Sequence, residues 1–239
     1  MNNYQLHVDT YSNTYTQKIN GNPFQCAILF GNIHRMVKYL SIKNAQIPIG
    51  FYNVRSPYNT FIVGGTTYTI TPGNYTTLSA LNSAPIVGGG TVSSALGSFT
   101  SSSSTNIVTF TSVSGSKTFT LTPLLAFLGF TSTQSLVANT TLISTYPYTL
   151  TWDTYLNIYI ENLGTSSLEL SRISFKIPLN NVINNIIYWN EESQNKQSIT
   201  VTNTYNTDRL VVTVYDRYGN LLNNNGVDWS FSFDMISDT

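Results

Sequence analysis

The feature that most constrains this chain is a stretch of alternating side chains between residues 208 and 234. Leu210, Val212 and Val214 fall on one side of an extended backbone, because strand side chains alternate with period two. Trp229, Phe231 and Phe233 do the same, while Asp228, Ser230, Ser232 and Asp234 fall on the other side. Between them, Tyr218-Gly219-Asn220 and Asn225-Gly226 suit backbone positions with φ > 0. The pattern predicts a pair of strands joined by an irregular loop, each with one apolar and one wet face, as in a half-buried antiparallel sheet. Burying the six apolar side chains, at roughly 1.5–3 kcal/mol each, anchors a second sheet over this one. Trp229→Asp is the single substitution expected to break it.

At 239 residues the chain can bury a real core as one domain. Only 9% of residues are charged and the net charge is zero, so no long-range field draws in nucleic acid or an anionic membrane. Disorder is excluded by the 13% aromatic content and the many β-branched runs. The polarity comes from Ser, Thr, Asn and Tyr, which suits sheets and wet protein–protein contacts. Met1-Asn2-Asn3-Tyr4 has neither a basic nor an apolar leader pattern, and no apolar run reaches the ~18 residues of a membrane span. The expectation is synthesis in a reducing cytosol. The sequons at Asn74 and Asn139 then read as accidental.

Residues 1–22 are expected as an N-terminal arm whose strand, residues 4–9, is either an edge strand or an extension docking on a neighbour. Residues 23–239 are expected as one jelly-roll domain. Within it, residues 24–30 and 36–42 read as two strands, and Pro48 stops the ladder because it lacks an N–H donor. Gly64-Gly65 and Ser114-Gly115 mark hairpins between residues 59–63 and 66–70, and between 106–110 and 117–121. Helical turns are predicted at 75–81 and after Pro123. The Gly/Ser-rich residues 83–105 read as a flexible surface excursion. Residues 154–161 and 172–177 alternate cleanly, Ile186-Ile187-Tyr188-Trp189 forms an aromatic patch, and a strand starts at Ser198. Eight to ten strands with two helical turns give an all-β antiparallel sandwich, with a single jelly roll the natural topology.

Catalytic chemistry finds little to work with. His7 and His34 have no Cys, Asp or Glu at metal-ligand spacing. Cys26, the one cysteine, can form no intrachain disulfide; it is either a partner for a histidine through space or, more simply, a buried small hydrophobe. Asp208, Asp216, Asp228 and Asp234 could serve a Ca²⁺ ion, or could be outward charges that keep a loop solvated. Glu191-Glu192 reads as an exposed pair, and Gly88-Gly89-Gly90 lacks the lysine and following helix of a phosphate loop. No catalytic, cofactor-binding or metal-binding residue is assigned. Tyr146, Tyr148, Trp152, Tyr155 and Tyr159 could form a sugar-stacking platform, though core packing and interface burial account for them as well.

Several motifs in fixed order carry a family resemblance. They are Asn44-Ala45-Gln46-Ile47-Pro48 with Phe51-Tyr52-Asn53-Val54, then residues 69–76 (TITPGNYT), Leu128-Gly129-Phe130, and Ile173-Ser174-Phe175-Lys176-Ile177-Pro178. Tyr215-Asp216-Arg217-Tyr218-Gly219-Asn220 and Gly226-Val227-Asp228-Trp229-Ser230-Phe231 complete the set. The chain resembles the jelly-roll minor capsid and penton-type virion proteins of large icosahedral double-stranded DNA viruses, virophages and polinton-like viruses. That resemblance implies a non-enzymatic minor capsid protein that bridges or cements major capsid capsomers in the virion. A penton subunit at the fivefold vertices, or a fibre base, is the alternative within virions; a carbohydrate-binding jelly roll is the alternative of another class. The implied partners are the major capsid protein, other virion proteins and further copies of the chain, with no nucleic acid and no membrane span. The arm would clamp neighbouring capsomers, so that deletion of residues 1–17 leaves a folded monomer that assembles poorly.

Overall fold

The computed structural model describes residues 2–11, 16–112, 115–137, 141–151, 153–161, 173–179, 185–190, 198–200 and 207–238. Its strand pairings are antiparallel, and the fold is an all-β sandwich of the jelly-roll class with a few short helices. The chain divides into two compact units, Met1–Phe51 with Asp153–Thr239, and Tyr52–Trp152. The first unit opens with β1 (Asn2–Asp9), β2 (Thr16–Ile19) and β3 (Asn22–Pro48). The second holds β4 (Thr60–Val63), β5 (Thr66–Thr69), α1 (Leu78–Asn82), α2 (Val92–Ala95), β6 (Gly97–Ser101), β7 (Ile107–Ser112), β8 (Lys117–Thr120), α3 (Pro123–Phe127), β9 (Gln134–Leu136) and β10 (Thr141–Pro147). The first unit then resumes with β11 (Tyr155–Glu161), β12 (Ile173–Pro178), β13 (Ile186–Asn190), β14 (Ser198–Thr200), β15 (Thr207–Tyr215) and β16 (Ser230–Asp238).

The first unit is built on β3, a strand of 27 residues. Its early part lies between β2 and β15, and the sheet continues through β11 to β12. Its later part lies between β16, with β1 beyond, and the strands β13 and β14. The changeover falls at His34 and Arg35, where pairing to β15 gives way to pairing with β16. One buried cluster draws on both halves, including Ile158, Phe175 and Val212 from one and Leu40, Phe231 and Phe233 from the other. Trp229 stacks on Phe231 at 4.5 Å, meets Phe24 edge-on at 5.7 Å, and its indole N–H donates to the Pro23 carbonyl at 2.7 Å.

Two expectations change here. The strands at 207–215 and 230–238 are not partners: β3 lies between them, and each belongs to a different half of the sheet system. Alternation specifies which face is buried, not which strand is adjacent. Residues 24–30 and 36–42 belong to one continuous strand. Within residues 1–22, the strand takes the edge position, one of the two readings the sequence leaves open: β1 pairs with β16 from Asn2 to Asp9, Val8 is buried, and β2 pairs with β3.

The second unit has two sheets of its own, ordered β10-β7-β6 and β5-β4-β8-β9. A chain of rings joins them. Phe61 stacks on Phe99 at 5.4 Å, Phe99 meets Phe110 at 4.7 Å, and Phe110 meets Phe119 edge-on at 4.6 Å. The Gly64-Gly65 hairpin forms as expected, with both glycines at positive φ. The hairpin expected at Ser114-Gly115 does not: β7 pairs with β6 and β10, while β8 pairs with β4 and β9, so this segment carries the chain from one sheet to the other. Residues 83–105, expected as a flexible excursion, contain α2 and β6 and bury Ala84, Ile86, Val92, Leu96 and Phe99. Their glycines and serines mask apolar residues spaced too sparsely to read as a strand or helix. Gly129 closes α3 at φ 89°, and any β-carbon there would fall onto the Tyr146 carbonyl oxygen.

Trp229→Asp should cost more than about 4 kcal/mol, because it removes two ring contacts and buries an uncompensated carboxylate. Urea denaturation followed by near-ultraviolet circular dichroism measures it. Deletion of residues 2–9 should abolish the cooperative transition in the same assay, since it strips β16 of its outer partner; a retained transition of unchanged midpoint would mean that those residues dock without holding the sheet together.

Candidate functional site

Among the described residues, no three His, Cys, Asp or Glu side chains stand close enough to hold a metal ion. The aspartates expected near the last loop are dispersed into separate structural tasks. Asp228 pairs with Lys18 at 2.6 Å and accepts from the Thr10 hydroxyl at 2.9 Å. Asp234 pairs with Lys43 at 3.1 Å. Asp216 is fully buried, and its Oδ1 accepts from the backbone N–H groups of Tyr218 and Asn220, each at 2.9 Å. It is a turn-forming carboxylate rather than an outward charge, because the β15 strand delivers it inward at the start of the loop. The Asp208 side chain, the His34 side chain and Glu191-Glu192 lie outside the described residues.

Cys26 is buried in β3, facing the core, and burial pushes its thiol up to about 12. It is therefore a protonated, packed thiol at neutral pH rather than a nucleophile. His7 is exposed on β1, opposite Ser232. Gly88-Gly89-Gly90 does precede a helix, contrary to expectation, but α2 is one turn long and capped from within. The Thr91 N–H donates to Ser94 Oγ at 2.8 Å and the Ser94 N–H to Thr91 Oγ1 at 3.3 Å. These donors are used inside the chain.

Of the tyrosines expected as a platform, Tyr146 and Tyr148 belong to the second unit and Tyr155 and Tyr159 to the first, and Trp152 lies outside the described residues. Tyr159 meets Tyr215 edge-on at 5.0 Å, and the Lys176 ammonium sits 4.9 Å above the Tyr155 ring. No helix among the described residues is long and apolar enough to cross a membrane.

What the motifs do contribute is backbone fixation. Asn53 is buried with its carboxamide fully used: Nδ2 donates to the carbonyls of Tyr75 and Leu150 at 2.9 and 2.8 Å, and Oδ1 accepts from the N–H groups of Val54 and Tyr75, both at 2.9 Å. Asn224 does the same in the first unit. It donates to the carbonyls of Pro48 and Val227 at 3.0 and 2.9 Å and accepts from the Gly50 N–H at 2.8 Å. Sequence reading marked residues 223–226 only as a loop. A run of asparagines beside a glycine signals a turn, but not which carboxamide turns inward.

No family model matches the chain, and no curated protein matches it. Among solved structures the chain is similar to the crystal structure of selenomethionine-labelled mavirus penton protein, with 13% identity, a TM-score of 0.46 and alignment over 100% of both chains.

The Cys26 thiol generates a pH test. Its folded pKa lies above the unfolded value, so its contribution to stability is complete below about pH 9 and declines as pH rises towards 12. The stability difference between wild type and Cys26→Ala should therefore shrink between pH 8 and about pH 10.5 in urea titrations. A difference that stays constant would mean the thiol ionises freely in the folded protein.

Proposed function

We propose that this chain is a non-enzymatic structural protein of an icosahedral viral capsid, seated as a minor protein that bridges or cements major capsid capsomers. The observation that carries the reading is where the ordered motifs of the resemblance fall. Asn53, Gly129, Asp216 and Trp229 each fix a turn or a sheet junction by hydrogen bonds or close contact. They serve a rigid frame, which is what a repeated shell subunit requires of its sequence. The zero net charge supports the same reading, because many copies can pack side by side without mutual repulsion. The expected partners are the major capsid protein, other virion proteins and further copies of this chain. With β1 built into a sheet, the lattice contacts fall to surface loops and exposed side chains such as Val87, Ile143 and Tyr146.

Co-expression with the major capsid protein of the same virus tests this. The protein should co-purify with assembled particles after gradient sedimentation. Particles that form with none of it bound would overturn the reading. Native mass by light scattering then assigns the place in the shell: a pentamer moves the chain to the fivefold vertex, and a monomer, dimer or trimer keeps it between capsomers.

A further inference from the structure

The outer face of the sheet half containing β1, β16, β3 and β13 carries a pocket that the capsid reading does not use. The register sets Asp9 against Ser230, Ser230 against Gln46, and Gln46 against Tyr188. Directly paired residues point to the same side, so these four side chains stand in one row across the sheet. One step along, Pro48 is paired with Ile186, and Trp229 and Asp228 precede β16. Together these residues, Tyr188 apart, enclose a pocket of about 150 Å³.

Its chemistry is specific. Pro48 and Ile186 provide apolar wall, and Trp229, whose ring is in the core, borders the pocket between Asp228 and Ser230. Asp228 is neutralised by Lys18, but Asp9 has no ion pair among the described residues; its Oδ1 accepts only from the Tyr11 N–H, at 2.9 Å. Neither Asp9 Oδ2 nor Asp228 Oδ2 receives a hydrogen bond among the described residues. The pocket therefore holds one uncompensated negative charge, two carboxylate oxygens with acceptor capacity, and the polar side chains of Gln46 and Ser230. A planar cation with several donors at the end of an apolar stem matches this arrangement better than a spherical ammonium or a bare metal ion.

We propose that this pocket binds the arginine side chain of a partner polypeptide. The guanidinium meets Asp9 and Asp228, and the methylene stem lies along Pro48 and Ile186. The inference rests on the pocket alone, so failure of the capsid assay leaves it standing and success there does not establish it.

The test is a nuclear magnetic resonance titration of the ¹⁵N-labelled full chain with Nα-acetyl-L-arginine amide. Shifts should be confined to the backbone amides of Asp9, Gln46, Ile186, Asp228, Trp229 and Ser230, and should saturate with a dissociation constant on the order of millimolar. The neutral isostere Nα-acetyl-L-citrulline amide should produce none, and added salt should weaken the arginine response. Asp9→Asn should weaken binding by about threefold or more while retaining the oxygen that Tyr11 uses. Ile186→Lys, which places a cation at the mouth, should abolish it. Absence of localised shifts, equal binding of citrulline amide, tighter binding of Nα-acetyl-L-lysine amide, the same shifts with CaCl₂, or unchanged affinity in Asp9→Asn would each overturn the proposal.

Discussion

The hydrogen-bond ladder along β3 is the constraint on which the first unit depends. Its amide and carbonyl groups are paired on both edges, to β2 and β15 in one half and to β16, β13 and β14 in the other. A slip of one residue against either set would turn Cys26, Leu40, Ile42 and Ala45 outward at once. Register is therefore held by the whole buried face rather than by a local turn. Trp229 adds a fixed point, since its ring and its N–H together tie the start of β16 to Phe24 and Pro23 at the start of β3.

A second level of order comes from side chains that answer backbone groups. Asn53, Asn224 and Asp216 are buried polar residues, and each would be costly to bury without partners. Each instead satisfies donors and acceptors that an irregular segment leaves open. The segments around these three residues are thereby specified almost as tightly as the strands. This is the physical content of the capsid reading: the sequence spends its distinctive residues on holding shape.

The faces of individual strands were legible in the sequence. Leu156, Ile158 and Ile160, and likewise Leu210, Val212 and Val214, are buried as their spacing predicts. So were the Gly64-Gly65 turn and the Pro123 helix start. Partner choice was not, because β15 and β16 carry the same pattern yet flank a third strand, and β7 and β8 look like a hairpin but join different sheets. Asp216 and Asn224 were read as loop polarity because inward direction depends on tertiary contacts. The pocket beside Asp9 is invisible in the sequence for the same reason: its lining comes from residues 9, 46, 48, 186 and 228–230, and only strand register brings them together.

The placement of the second unit between Phe51 and Asp153 has a consequence for biosynthesis. The second unit is continuous in sequence, so its ring-to-ring core can close as soon as it leaves the ribosome. The first unit cannot. β3 is made early, but β15 and β16, which cover it, are made last. For most of translation a 27-residue strand waits with only its early part paired, to β2, and the rest of its edges open, a template for any other chain in the same state. Yield of the native protein should thus depend on how crowded the nascent chains are, and on chaperones that shield β3, more than on the stability of the finished fold.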